Sequence, residues 1–149
     1  MASGFQLGHV GLSVRDVDRS AAFYRTVLGL GEVGGARDGE RRYVLLARDG
    51  QVLLTLWEQS DRPFAADHAG LHHLSFHVPD AAAVETVAQR ARDAGAPIRH
   101  GGVVRHRETD TSGGLFFEDP DGIRLEVFTD DVGGEAPAPF GTAPTCGFF

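Results

Sequence analysis

Cysteine is nearly missing from this sequence: Cys146 is the single example. It cannot form an internal disulfide, it lies outside any metal-type cysteine spacing, and its isolation suits a reducing compartment. Long apolar runs are missing too, since no stretch approaches the roughly 20 consecutive apolar residues of a membrane span. The opening MASGFQLGHV lacks a basic region followed by an apolar run, so no export leader is read there and a cytoplasmic location is expected. Concentrated basic runs are likewise absent, and the net charge of −7 opposes the phosphate neutralisation that nucleic-acid binding requires. Neither nucleic acid nor a membrane is expected as a partner. What remains is a 149-residue chain with 42% hydrophobic and 23% charged residues, which is ordinary for one folded domain with its own core.

The informative feature is an internal repeat. GHVGLSVRD at 8–16 and HHLSFHVPD at 72–80 align without a gap, placing His9 on His73, Leu12 on Phe76, Val14 on Val78 and Asp16 on Asp80. Both segments alternate like half-buried strands, with Val10, Leu12 and Val14, or Leu74, Phe76 and Val78, on one face. Asp16 or Asp18 then caps a helix over RSAAFYRTVLGL, Asp80 caps one over AAAVETVAQRARDAG, and Gly29 and Gly95 stop them. Strand-like runs follow: RRYVLLAR and QVLLTLWE in the first half, PIRHGGVVRH, GGLFFED and GIRLEVF in the second. Asp49-Gly50 and Asp121-Gly122 read as tight turns before the last strand of each half.

The expected fold class is therefore α+β: two βαβββ modules, about 5–58 and 71–129, forming a curved mixed sheet with the helices outside and a cup on the concave side. Residues 1–129 are expected to make one domain, followed by a Gly/Pro/Ala-rich tail over 130–149. Strand alternation directs His9, Gly11 and Ser13, then His73, Ser75 and His77, then Arg124, Glu126 and Phe128 into the cup. Two imidazoles and one carboxylate with open positions suit a divalent metal, Fe(II) foremost, with Mn, Zn and Ni as alternatives. Three ligands rather than four leave room for chemistry on a bound small molecule.

The segments HVGLSVRDVDRSAAFYRTVLGL, GLHHLSFHVPD and FFEDPDGIRLEVF together resemble the vicinal oxygen chelate superfamily over residues 5–129. That superfamily includes glyoxalase I, fosfomycin-resistance transferases, methylmalonyl-CoA epimerase, bleomycin-binding proteins and type I extradiol dioxygenases. The resemblance implies the glyoxalase/bleomycin resistance/dioxygenase fold, with metal ligands His9, His73 and Glu126. Glyoxalase I adds a carboxylate on the last strand of the first half. Here that place falls on Leu54 counting from the turn, or on Thr55 aligning LTLW with LEVF. Glu58 could serve only through a register shift that reverses its face.

The three-ligand members are thereby favoured, and His72-His73 and Arg105-His106 resemble the region around the metal and acid-base groups of extradiol dioxygenases. On that resemblance His106 is the proton-transferring histidine, a role suited to an imidazole of pKa about 6.5. Extradiol enzymes place a tyrosine on the strand before the final turn, where LFFED offers Phe116 and Phe117. His77, roughly 6.6 Å along the strand from His73, is expected to orient substrate. Tyr43, Trp57, Phe117, Phe128 and Arg124 are expected to line its pocket. The expected function is an Fe(II)-dependent extradiol-type dioxygenase acting on a catechol-like molecule. A metal-dependent glyoxalase, epimerase or transferase and a metal-free antibiotic-binding resistance protein are the alternatives. An isologous homodimer is expected from the relatives, and the apolar end CGFF is expected to dock over the cup mouth or a neighbouring subunit.

Overall fold

The computed structural model describes residues 4–149. The chain divides into two compact units, the first running to Pro63 and the second from Phe64 to Phe149. The first holds β1 (Val10–Val14), α1 (Val17–Leu28), β2 (Gly31–Ala36), β3 (Tyr43–Arg48) and β4 (Gln51–Glu58). The second repeats the order with β5 (Leu74–His77), α2 (Ala81–Asp93), β6 (Val104–Arg105), β7 (Gly113–Glu118) and β8 (Arg124–Thr129). Each unit builds its own four-stranded mixed sheet, β1-β4-β3-β2 in one and β5-β8-β7-β6 in the other. In both, the first strand lies parallel to the last, which runs antiparallel to the strand before it. Two βαβββ modules are thus present.

The helices start where the aspartates allow. Asp16 accepts from the Arg19 N–H at 3.0 Å and Asp80 from the Ala83 N–H at 2.8 Å, each satisfying a donor of the first turn. α1 ends at Gly29 in the left-handed region, whereas α2 runs to an Ala94 cap and turns at Gly95 one residue later. On α1 the buried positions Val17, Ala21, Tyr24 and Leu28 recur at helical spacing. They cover the buried Val44, Leu46, Leu54 and Leu56 of β3 and β4. On α2 the smaller Val84, Val87, Ala88 and Ala91 cover Leu115, Phe117, Leu125 and Val127.

Two segments depart from the sequence reading. β2, GEVGGA, completes the first βαβββ module but is not among the strand-like runs of the sequence, because three glycines in six residues hide a strand; it pairs with β3 through an irregular register at Glu32/Gly34. PIRHGGVVRH, expected as a strand, makes only an isolated bridge at Ile98 and the two-residue β6. His100, Gly101 and Gly102 all take positive φ, and this breaks the extended run. The Asp49-Gly50 turn has φ of 52° and 79°, the mirror-image turn that matches strand twist. Between β7 and β8 the buried Asp119 carboxylate accepts from the Asp121 and Ile123 N–H groups at 2.8 and 2.9 Å. The segment after β8 folds back within the second unit and ends in a single 3-10 turn at Thr145–Gly147. Among the described residues no helix is long and apolar enough to cross a membrane.

Candidate metal and acid-base site

β8 lies between β5 and β7, with Ser75 and Phe116 directly opposite Glu126. Cross-strand partners share a face, so Ser75, Glu126 and Phe116 form one row, while the neighbouring Leu125 and Val127 turn to α2. His73, two residues before Ser75, and Arg124 and Phe128, two residues either side of Glu126, continue that face. His106 reaches it from the end of β6.

Glu126 is 3% exposed, and both of its oxygens are engaged: His73 Nε2 stands 3.3 Å from Oε2 and His106 Nε2 2.5 Å from Oε1. Burial works to raise its pKa, but hydrogen bonds from His106 and Ser75 and the two nearby imidazoles outweigh this and hold the carboxyl below its ordinary range. An ionised carboxylate only accepts, so His106 must present N–H at Nε2. Its Nδ1 stands 2.9 Å from Ser112 Oγ, a hydroxyl able to donate or to accept there. Burial lowers the pKa of His73, with Glu126 opposing and His72 and Arg124 adding to the fall, so the ring is neutral near neutral pH. Its Nδ1 faces His72 Nδ1 at 2.8 Å, a contact in which one ring donates and the other accepts.

Among the described residues no group of three or more His, Cys, Asp and Glu stands as a ready-made metal cluster. His73 and Glu126 nevertheless supply donors of the right chemistry. Their 3.3 Å separation is close to the about 3 Å between adjacent ligand atoms of a cation bound at about 2.1 Å.

The remaining second-unit residues expected at the site fall into three sets. Phe128 packs against His106 and His77 with ring centroids 5.5 and 4.9 Å apart, and Arg124 sits on the same face. His77 stands at the rim, half-exposed, with Nε2 3.3 Å from Asp130 Oδ1. Phe117, expected in the pocket, is instead fully buried opposite Leu125 on the helix side, because a one-residue step along a strand reverses the face. Phe116 takes its place, 6.2 Å from the His106 ring. Counting back across the β7–β8 turn would have identified it, whereas no local signal marks Ser112, 14 residues before Glu126.

In the first unit, Gly11 pairs with Thr55, as Ser75 pairs with Glu126 in the second, which makes Thr55 the equivalent of Glu126. Thr55 Oγ1 accepts from Trp57 Nε1 at 3.0 Å, and Trp57 stacks on Tyr43 at 5.0 Å. His9 is exposed just before β1, on the Gly11 side of its alternation. Glu58 turns to the other face, where it accepts from the Val17 N–H at 2.9 Å and pairs with Arg42 at 3.0 Å, so it belongs to the start of α1.

The fold agrees with what the chain is similar to. Catechol-2,3-dioxygenase of Bacillus subtilis (strain 168) is 28% identical over 126 residues, covering 83% of this chain but only 41% of that enzyme. The chain thus spans about two fifths of that curated relative. A glyoxalase/bleomycin resistance protein/dioxygenase domain from Frankia sp. EAN1pec superposes with a TM-score of 0.72 at 26% identity, covering 86% of this chain and 99% of that one. The fosfomycin resistance protein FosX of Listeria monocytogenes, solved with Mn(II) and sulfate, shares the fold at a TM-score of 0.61 and 18% identity, covering 87% of this chain and 93% of that one. With its two βαβββ modules, and with residues 6–127 matching the family model, the chain belongs to the Glyoxalase/Bleomycin resistance protein/Dioxygenase superfamily.

Proposed function

We propose that this chain is a metal-dependent enzyme of the extradiol-dioxygenase type, acting on a catechol-like small molecule. His73 and Glu126 are its metal ligands, and Fe(II) is the favoured ion. The observation that carries this reading is the buried Glu126 carboxylate addressed on its two oxygens by His73 and His106. The similarity to a catechol dioxygenase supports the substrate class. Thr55 in the place of a fourth, acidic ligand sets the reading apart from a glyoxalase I arrangement.

Held by His73 and Glu126, a divalent ion would supply Lewis-acid chemistry that lowers the pKa of a substrate hydroxyl. The protein's own side chains do the rest. His106 carries a proton at Nε2 that can pass to or from a substrate oxygen next to Glu126; the carboxylate, which can only accept, fixes that proton at Nε2, and Ser112 holds the ring from its other nitrogen. Phe116 and Phe128 keep water from that proton and offer flat apolar surface to an aromatic ring. His77 at the rim accepts or donates to polar substituents that reach past Phe128.

The test is the metal content of protein purified anaerobically, beside a His73→Ala control, followed by oxygen uptake with catechols. Near-stoichiometric iron that is lost in the control, with oxygen consumed, is the expected result. No metal in either protein after reconstitution, or an iron-loaded protein that binds catechols without consuming oxygen, would overturn the reading.

A further inference from the structure

The segment after β8 is tied down at its base. The Arg105 N–H donates to the Pro137 carbonyl at 2.7 Å, Arg105 Nε to Ala136 O at 2.7 Å, and the Glu108 N–H to Gly141 O at 2.8 Å. Thr145, fully buried, adds three more bonds. Its N–H donates to His106 O at 2.8 Å, and its hydroxyl reaches Arg105 O and His106 O at 2.9 and 3.0 Å. Phe140 packs edge-on against His100 at 5.5 Å and stacks on Phe148 at 4.4 Å. The loop bearing the proposed proton-transferring histidine is therefore clamped by a stretch of chain 31 to 40 residues away.

Beyond this base the contacts change character. Phe149 is half-buried, and its ring contacts are to the candidate site: His73 at 5.7 Å, His72 at 6.5 Å and Phe116 at 5.5 Å. The Arg124 guanidinium lies 5.4 Å from the ring centroid, a cation-π arrangement. A phenyl ring thus already occupies the space bounded by a proposed metal ligand, an aromatic wall and a cation. Ring contacts of this kind are weaker and more easily exchanged than the six hydrogen bonds that hold the base.

We propose that residues 136–149 form a strap with a fixed base and a displaceable tip, and that the Phe149 ring is an internal occupant of the site which any ligand approaching His73 must displace. The strap thereby regulates access, and this rests on the site being the one proposed above. Only the tip has to move, because Thr145 holds the base to the His106 loop.

The test uses the metal-free chain of residues 1–149 and the acylation of histidine by diethyl pyrocarbonate, mapped by mass spectrometry. Phe149→Ala is expected to acylate at His73 about tenfold faster than wild type, the equivalent of about 1.4 kcal/mol of lost closure. Phe149→Trp should keep the protection, and the exposed His68 should react equally in all three. Equal His73 rates in wild type and Phe149→Ala would overturn the strap. As a second measurement, 4-fluorophenylalanine at position 149 should give a 19F resonance displaced from that of the unfolded chain. A resonance already at the unfolded position would equally overturn it. Because both readouts omit metal, a failure to bind iron would sink the functional reading while leaving these results to decide the strap.

Discussion

A carboxylate 3% exposed must be met by donors, and Glu126 depends on His106, Ser75 and His73 for them. Replacing His106 with phenylalanine keeps a ring among Phe116 and Phe128 but removes the strongest of those bonds. The variant is expected to lose about 1–3 kcal/mol of stability at neutral pH, read from urea unfolding. The pH dependence follows from the sign of the shift. Because the folded pKa of Glu126 lies below the ordinary 4.5, its stabilisation is present above that value and is lost as pH falls through the folded one. His106→Phe should narrow that acid limb; an unchanged profile would mean that the bond carries no ionisation energy. His100 makes a second case. Its Nε2 is buried without a hydrogen-bond partner, and burial, then Arg99, push its pKa down, only partly offset by the backbone of Phe148. As pH drops below 6.5 the unfolded chain takes up a proton that the folded ring resists, so stability falls. His100→Asn tolerates the φ of 57° and carries no charge, so its melting temperature should depend less on pH below 6.5, with the residual slope belonging to His73.

The elements differ in how plainly the sequence announces them. β1 and β5 were legible because alternation and an aspartate cap coincide, and α1 and α2 because a helical stripe of apolar residues runs from cap to glycine. Asp80→Ala should accordingly cost about 1 kcal/mol in thermal or urea unfolding, with Asp80→Asn near wild type; a loss equal for both would point to charge rather than the cap bond. β2 stayed hidden because its stability comes from pairing with β3, a tertiary fact that no window of six residues contains. Of the site, Glu126, His73 and His106 were legible as chemistry, but the face of Phe117 was not, because it depends on a register fixed only when β7 pairs with β8. That pairing also dictates Gly114, where an added Cβ would come within 2.1 Å of the Val127 carbonyl. Gly114→Ala must therefore shift backbone next to Glu126, and a loss of several kcal/mol would be measured by unfolding; a variant as stable as wild type would show that the strand can slide.

Across the whole molecule the repeat is structural in both units but chemical mainly in one. His9 and His73 occupy equivalent places, yet Thr55 stands where the second unit has Glu126, and the buried acid, its second imidazole and the strap all belong to residues 64–149. A divalent ion should therefore act on the stability of the protein chiefly through His73 and Glu126. A ligand that binds only the folded chain stabilises it by about 2.7 kcal/mol at 100 times its Kd, worth several degrees in melting temperature for a chain of this size. Mn(II) or anaerobic Fe(II) should raise Tm by that amount in wild type, and a chelator should reverse it. His73→Ala and Glu126→Gln should show little response. The rise should also shrink in acid, because an imidazole must shed its proton to bind. Since burial lowers the pKa of His73 below 6.5, the metal effect should persist to a lower pH than a free histidine would allow. An equal rise in His73→Ala would place the ion elsewhere on the molecule and remove the premise that the acid of the second unit is a metal ligand.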